Sequence, residues 1–375
     1  MKIALVAHWD WTLYNFRMPL AHALRKRGYD VVFVCPFGEY VSFIRKAGFP
    51  VVDWHLQRRS FNPPSEGMAI WHLFRIYRQE ALDAVHHFTI KPNIYGSLAA
   101  QMARIPKIIN TFTGLGFVFA DSTASRLLRT IVLPLLRLVL WPRNAMTVFQ
   151  NDHDREVFMQ RGLVRSAQTS VIAGSGVNTT RFAPGSNGRL PNAEPIVLMA
   201  SRLLMDKGLS EFVAAAQHLR EMGIGCRFWV AGTPDEGNPA CVPRALLAQW
   251  QRDGVVEFLG QRTDMPDLLR QADIAVLPSY HEGLPRFLQE AAATGLPLVA
   301  TDIEGCRMVV RTGINGLLVP PKDPMALAQA LVTLVTDASM RARMGRTSRE
   351  IAVQEFNEAR ITEQYLWLYK ELGVF

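Results

Sequence analysis

Two glutamates eight positions apart, Glu282 and Glu290 in YHEGLPRFLQEAAATGLPLVAT (residues 280–301), are the residues of this chain best placed to do chemistry. The preceding ADIAVLPS is a β-branched run that predicts a buried strand, so Tyr280 to Gly283 forms a strand-to-helix loop. Pro285 suits the first helical turn, where a missing N–H and a fixed φ carry no penalty. Backbone N–H groups at Leu284, Arg286 and Phe287 then make an anion site beside Gly283, helped by the positive end of the helix dipole. Glu282 sits next to that site, and Glu290 lies about 7–9 Å further along at about 1.5 Å per residue. This geometry suits a sugar–diphosphate–nucleoside, with diphosphate on the N–H groups, sugar hydroxyls on Glu282 and ribose hydroxyls on Glu290. Taken alone, the spacing more often describes two solvated helix glutamates; the flanking Gly, Pro and helix start favour the ligand.

A second element supplies positive charge. PIVLMASRLLMDKGLSEFVAAAQHL predicts a strand ending at Ser201, a loop carrying Arg202 and Lys207, then a helix opening near Gly208 and Ser210. Cations at the carboxyl end of a strand stand where open parallel sheets bind ligands. Arg offers a bidentate fork to phosphate and Lys a compact point charge. Either alone reads as a surface charge, but both beside the glutamate element point to one diphosphate site.

Together these segments resemble the glycosyltransferases of family four, retaining enzymes with the two-domain GT-B fold, and the resemblance covers nearly the whole chain. SRLLMDKG is similar to the family's donor-diphosphate segment and EGLPRFLQEA to its E-x7-E motif. The resemblance implies that Arg202 and Lys207 bind the donor diphosphate, Glu282 the sugar and Glu290 the ribose, with Gly283, Leu284, Pro285 and Arg286 lining the site. Glu282, Lys207 and Arg202 are its catalytic candidates. In the first half, HHFTIKPNIYGSLAA, INTFTGLGFVF and VFQNDHDREVF are similar to a narrower bacterial subset. It includes the acetylgalactosaminyltransferases that extend undecaprenyl-diphosphate-linked bacillosamine. The donor implied is a UDP-sugar, as substrate and not cofactor, and the acceptor a polyprenyl-diphosphate-linked sugar.

The elements that must position these residues are legible as apolar runs. KIALVAH, YDVVFVCP, FPVVDWH, AVHHFTI, KIINTFTG and MTVFQN alternate with helical segments in the first half. PIVLMAS, CRFWVAG, VVEFLG, DIAVLPS, PLVATD and GLLVPP do so in the second. Such alternation predicts an α/β protein of two doubly wound parallel-sheet domains facing a cleft. The stretch 175–195, rich in Gly, Pro, Asn and Ser, reads as the linker. Domains of residues 1–180 (acceptor) and 181–356 (nucleotide sugar) follow, with a helix in 357–375 returning to the first by family resemblance.

In the first domain, Tyr14, Asn15 and Arg17 follow strand one, on the loop that in this family approaches donor phosphates or acceptor. That loop lacks the glycine pair many members carry. Thr113, before Gly114, stands where many members place a histidine near the donor sugar. Of His86 and His87 in AVHHFTI, one must face the core, and a packed role suits them better than a catalytic one. Lys91, beyond that strand's carboxyl end, is a better candidate for acceptor phosphate or leaving-group charge. Asp152–His153–Asp154 mimics the metal motif of another transferase fold, but it opens a helix, where aspartates cap N–H groups. With cations and a helix terminus available to neutralise diphosphate, activity without metal is expected.

Charge divides unevenly. Through Ser175, Lys and Arg number 21 against 11 Asp and Glu; beyond it they number 20 against 22. A basic first half wants an anionic partner. In SRLLRTIVLPLLRLVLWPR (residues 125–143), Arg126, Arg129 and Arg137 fall in a narrow arc of a helix otherwise mostly Leu, Ile and Val, with Trp141 at its end. The run is too short to span a bilayer and Pro134 interrupts it. It reads either as a helix lying in an anionic membrane surface or as a core helix with one solvated stripe. No zinc-finger, RRM or helix-turn-helix pattern accompanies the charge, which argues against nucleic acid. The four scattered cysteines suggest a reducing compartment and no metal site. MKIALVAHWDW reads as a first buried strand and not a signal peptide. The expected location is cytoplasmic, peripheral on the inner face of the plasma membrane. Two alternatives stay open: a GT-B nucleotide-sugar 2-epimerase using the same donor site, and a non-catalytic membrane or nucleic-acid binding protein.

Overall fold

The computed structural model describes residues 1–56, 62–114, 123–185 and 194–374; of residues 123–128 and 131 it describes the backbone alone. The chain divides into two compact units, Met1–Gly176 with Ala359–Phe375, and Val177–Glu358.

The first unit runs β1 (Lys2–Ala7), α1 (Asp10–Lys26), β2 (Asp30–Cys35), α2 (Val41–Lys46), β3 (Val51–Asp53), α3 (Pro63–Glu80) and β4 (Ala84–Phe88). It continues through α4 (Ile90–Ala103), β5 (Lys107–Thr111), α5 (Thr123–Leu140), β6 (Ala145–Phe149), α6 (Asp152–Gln160) and β7 (Thr169–Val171). Its seven strands form one parallel sheet in the order β3-β2-β1-β4-β5-β6-β7. In β1 every residue from Ile3 to Ala7 is buried, as a strand covered on both faces requires. One cluster joins Ile3, Leu5, Phe33 and Cys35 to Leu13, Leu20 and Leu24 of α1. The same cluster takes in Ile361, Tyr365 and Tyr369 of the last helix, Glu358–Glu371. The other joins Ala4, Val6, Val32 and Val34 to Leu73, Ile76 and Tyr77 of α3 and to Ala99 and Ala100 of α4.

Both histidines of β4 are fully buried, not one of the two. His86 Nε2 lies 2.6 Å from Thr111 Oγ1, and its Nδ1 meets the Tyr369 hydroxyl. His87 lies 2.8 Å from Asn110 Oδ1 and 2.9 Å from the Tyr77 hydroxyl. Burial holds both rings neutral: His87 titrates at about 4, and His86 is pushed well below the usual range. Folded-state values below the unfolded one mean that the unfolded chain takes up protons first as pH falls. The resulting stability is present above about pH 6.5 and is lost as pH drops toward 4, about 3 kcal/mol from His87 alone. Denaturant midpoints should therefore fall from pH 7.5 to 5.5, with a shallower fall in His87→Asn. A midpoint flat over that range would contradict this.

Asp152 and Asp154 do open α6, but the cap is Asn151, whose Oδ1 accepts the Asp154 N–H at 2.7 Å. Asp152 pairs with Arg155 one turn on, at 2.9 Å. The capping role read onto the aspartates belongs to the residue before them, because only the residue preceding the first helical turn can reach its free amides.

The second unit runs β8 (Ile196–Ala200), α7 (Leu209–Glu221), β9 (Arg227–Ala231), α8 (Arg244–Asp253), β10 (Glu257–Gly260), α9 (Met265–Gln271) and β11 (Ile274–Leu277). After these come α10 (Arg286–Ala293), β12 (Leu298–Thr301), α11 (Glu304–Arg307), β13 (Gly316–Val319), α12 (Pro324–Thr336) and α13 (Ala338–Glu355); the last helix, Glu358–Glu371, is α14. Six parallel strands lie in the order β10-β9-β8-β11-β12-β13. The α/β class and the two parallel sheets read from the apolar runs are those observed.

Candidate active site

In the second sheet the strand order reverses between β8 and β11, which pair directly through Ile274 and Val197. In open α/β sheets that reversal, at the carboxyl ends of the strands, leaves a crevice for ligands. The two segments singled out in the sequence are the loops that leave these two strands.

The first loop carries Arg202 and a single 3-10 turn over Met205–Lys207, then Gly208 at φ 75° before α7. A Cβ on Gly208 would lie 2.0 Å from the Pro278 carbonyl oxygen, so only glycine lets the two loops meet here. The second loop runs from Pro278 to Pro285. Pro285 is the N-cap of α10 and not its first helical residue, so the Leu284 amide lies outside the helix. The first-turn amides, which lack acceptors in their own helix, belong to Arg286, Phe287 and Leu288.

Hydrogen bonds lace the loops together. The Tyr280 N–H donates to the Asp206 carbonyl at 2.8 Å. The buried Ser279 hydroxyl lies 3.2 Å from the Asp206 and His281 carbonyls, and the Thr301 hydroxyl donates to the Ser279 carbonyl. Tyr280 reaches α7, its hydroxyl donating to Glu211 Oε1 at 2.6 Å, and Lys322 lies 5.1 Å over its ring. Burial and the Glu211 carboxylate raise the Tyr280 phenol above its usual range, so it stays a donor.

Across this framework Lys207 Nζ meets Glu282 Oε1 at 2.7 Å, the side chains 16% and 15% exposed. Glu290, inside α10, accepts from Arg286 Nε at 2.8 Å. Arg202 Nη1 meets Asp235 Oδ2 at 2.6 Å, and that oxygen also accepts from Asn238 Nδ2 at 3.0 Å. Arg202, Lys207 and Arg286 thus each hold a carboxylate, where the sequence showed only isolated cations. Asp235, in the loop after β9, was not found in the sequence; nothing in its neighbourhood marks it apart from a surface Asp.

Gly305 braces the site from behind. A Cβ there would lie 2.3 Å from the Glu282 carbonyl oxygen and 2.8 Å from that of Gly283. Gly305→Ala should therefore displace the Glu282 loop and cost at least tenfold in any turnover that this site supports. Wild-type kinetics for this variant would show that the loop tolerates the displacement.

Of the first-unit candidates, three are placed differently from expectation. Tyr14, Asn15 and Arg17 lie within α1, because the helix starts at Asp10 and leaves only two residues after β1. Tyr14 packs against the rings of Tyr40 and Phe43, and the Asn15 amide donates back to the Trp11 carbonyl at 3.0 Å. Arg17 is 2% exposed, its guanidinium 4.0 Å from the Phe88 ring centre and 5.9 Å from that of Tyr365. It is a core residue; such desolvated contacts are worth about 2 kcal/mol. Lys91, in the first turn of α4, is held by both Glu66 oxygens at 3.1 and 3.2 Å. Thr113 and Gly114 follow β5, both half-buried, with Gly114 at φ 125°; the segment beyond them lies outside the described residues.

On α5, Leu136, Val139 and Leu140 enter a cluster with Phe112, Phe149 and Phe158, while Arg137 and Leu138 face outward. Arg129 is half-buried, and the Arg126 side chain lies outside the described residues. Trp141 is clasped by two guanidiniums, Arg137 at 5.0 Å and Arg165 at 4.4 Å. No helix among the described residues is long and apolar enough to cross a membrane.

Residues 2–144 match the model of the glycosyl transferase 4-like family and residues 194–337 that of glycosyl transferases group 1. The chain is 30% identical, over 98% of its length and 98% of the relative's, to an N,N'-diacetylbacillosaminyl-diphospho-undecaprenol alpha-1,3-N-acetylgalactosaminyltransferase of Campylobacter jejuni. It is 27% identical, over 80% of its length and 79% of the relative's, to a UDP-Gal:alpha-D-GlcNAc-diphosphoundecaprenol alpha-1,3-galactosyltransferase of Escherichia coli. Anabaena HepE, solved in complex with UDP-glucose, superposes with a TM-score of 0.79 at 21% identity, covering 99% of this chain and 100% of that one.

Proposed function

The chain belongs to the group 1 and 4-like glycosyltransferases and is a glycosyltransferase, and from that premise we propose its reaction. It moves a sugar, an N-acetylhexosamine, from a UDP-sugar to a polyprenyl-diphosphate-linked glycan acceptor. The observation that carries this reading is the Lys207–Glu282 pair, which joins the two loops at the sheet's reversal point. The nature of the acceptor is drawn from the two relatives, whose names specify undecaprenyl-diphosphate-linked sugars.

Chemically the hard step is departure of the nucleoside diphosphate. Lys207, Arg202 and the first amides of α10 are donors fixed before the reaction, in the place where negative charge would grow. Glu282 would hold the sugar hydroxyls and Glu290 the ribose. We propose transfer with retention of configuration, the acceptor attacking from the face the diphosphate leaves, with a departing phosphate oxygen taking the acceptor proton. The two cations and the helix terminus neutralise the diphosphate without a metal ion, so turnover should survive EDTA and Asp152→Asn should change stability only slightly. Complete loss with chelator, restored by Mg2+ or Mn2+, would overturn that part.

The protein acts at the cytoplasmic face of an anionic membrane, where a lipid-linked acceptor resides, with the exposed Arg137 of α5 toward it. Incubation of purified protein with UDP-N-acetylhexosamine alone separates this from the 2-epimerase reading. The donor should keep its configuration at carbon 2 until acceptor is added; epimerised donor would refute the transferase assignment.

A further inference from the structure

Three helices of the first unit, α3, α4 and α5, lie side by side, α3 against α4 and α4 against α5. Their inner sides enter the core through Leu73, Ile76 and Tyr77, through Ala99 and Ala100, and through Leu136, Val139 and Leu140. Their outer sides are unusual in two respects. Large apolar side chains stand in solvent: Met68 (73% exposed) and Trp71 (56%) on α3, Met102 on α4 and Leu138 on α5. Arginines stand among them: Arg75 and Arg78 on α3, Arg104 just after α4 and Arg137 on α5, all exposed.

Acid is scarce on the same layer. The sequences of α4 and α5 contain no Asp or Glu. Those of α3 are Glu66 and Glu80, and each is ion-paired, with Lys91 and Lys2. Met68, Trp71, Arg75 and Arg78 follow one another at intervals of three or four residues, so they form a single stripe along α3. The rings of Trp71 and Phe74 lie 5.0 Å apart and make the apolar part of the stripe broader.

We propose that the outer surface of the α3–α4–α5 layer is a membrane-docking face for anionic phospholipid. Met68 and Trp71 enter the headgroup region, and Arg75, Arg78, Arg104 and Arg137 pair with lipid phosphates. Trp is an interface-seeking side chain, and Arg lays its apolar stem along hydrocarbon while its head stays in the polar layer. An exposed apolar patch ringed by one sign of charge marks an interaction surface, and the charge selects an anionic partner. Exposed Met and Leu favour lipid over nucleic acid, whose phosphates and base edges give them no contact. Two copies pairing through this face would set arginines against arginines. The apolar anchor therefore lies on α3, since the Trp141 ring is already covered by two guanidiniums. The inference rests on the proposed lipid-linked acceptor for its meaning, but its test does not.

The test is flotation of the purified full-length protein with phosphatidylcholine–phosphatidylglycerol vesicles and with phosphatidylcholine alone. Wild type should float with the mixed vesicles, less so as salt is raised, and hardly with the neutral ones. Arg75→Gln with Arg78→Gln should weaken binding by about 25-fold, taking about fivefold for each cation near an anionic surface. Met68→Ser with Trp71→Ser should weaken it by at least tenfold with an unchanged melting temperature. Brominated lipid should quench part of the wild-type tryptophan fluorescence, and Trp71→Phe should abolish that part. Equal flotation by all variants would overturn the proposal. So would binding to a single-stranded oligonucleotide, or a dimer dispersed by Trp71→Ser, in protein that does not float. Transfer to a short-chain soluble acceptor should be unchanged in both double variants. Flotation that depends on these residues in protein that transfers no sugar would support the docking face and sink the proposed reaction alone.

Discussion

Lys207→Ala should lower kcat/KM for sugar transfer about 100-fold or more, the largest effect expected of any single substitution. Lys207 donates to Glu282 across the two loops that flank the reversal of the second sheet. Truncation would remove the proposed charged hydrogen bond to the leaving diphosphate, worth about 1.5–3 kcal/mol, which is about tenfold to a hundredfold in rate. It also leaves the Glu282 carboxylate, mostly shielded from water, without its cation. Arg202→Ala should cost less, about tenfold to a hundredfold, because Arg202 is half-exposed and water can stand in for part of its contact. The melting temperature of Arg202→Ala should stay near wild type, and that of Lys207→Ala should fall modestly, because Glu282 loses its cation. Near-native turnover by both would remove these residues from the donor site.

The second large effect is a division between the two glutamates. Glu290→Gln should weaken the binding of UDP itself by tenfold or more in calorimetry, because it would lose both the proposed ribose contact and the charge that orients Arg286. Glu282→Gln should leave UDP affinity within a few-fold while turnover falls by two orders of magnitude, because its proposed partner is the sugar. Equal losses of UDP affinity in the two variants would refute the separate roles.

How much of this could be read from the chain follows from how local each interaction is. Apolar runs such as KIALVA and IVLMA are buried on both faces of a parallel strand, so composition alone announces them. β7, TSV, escaped notice because it is a three-residue edge strand that is only half-buried. The start of α1 was hidden by its aromatic, weakly helical opening, DWTLY, and this moved Tyr14, Asn15 and Arg17 from a loop into a helix. The fate of Arg17 was beyond sequence reading, because Phe88 and Tyr365 arrive from distant strands and helices.

In the candidate donor site the residue types and their two loops were legible, since Gly, Pro and charge mark them. Their pairing was not. Arg202 finds Asp235 33 positions away and Lys207 finds Glu282 75 positions away. The support beneath them, Ser279, Thr301 and the Asp206 carbonyl, is hydroxyl-to-backbone bonding between separate strands and loops, which has no sequence signature.

The measurement that bears most directly on the proposed reaction is the mass of the product. Purified protein is incubated with UDP-N-acetylhexosamine and a synthetic polyprenyl-diphosphate-linked sugar, and the lipid fraction is analysed by mass spectrometry. The expected result is an acceptor heavier by one N-acetylhexosamine residue, with UDP released in equal amount and product from the Lys207→Ala protein formed about 100-fold more slowly or slower still. An acceptor of unchanged mass with every UDP- and GDP-sugar offered, or a product that forms equally well in the Lys207→Ala and Glu282→Gln variants, would contradict it.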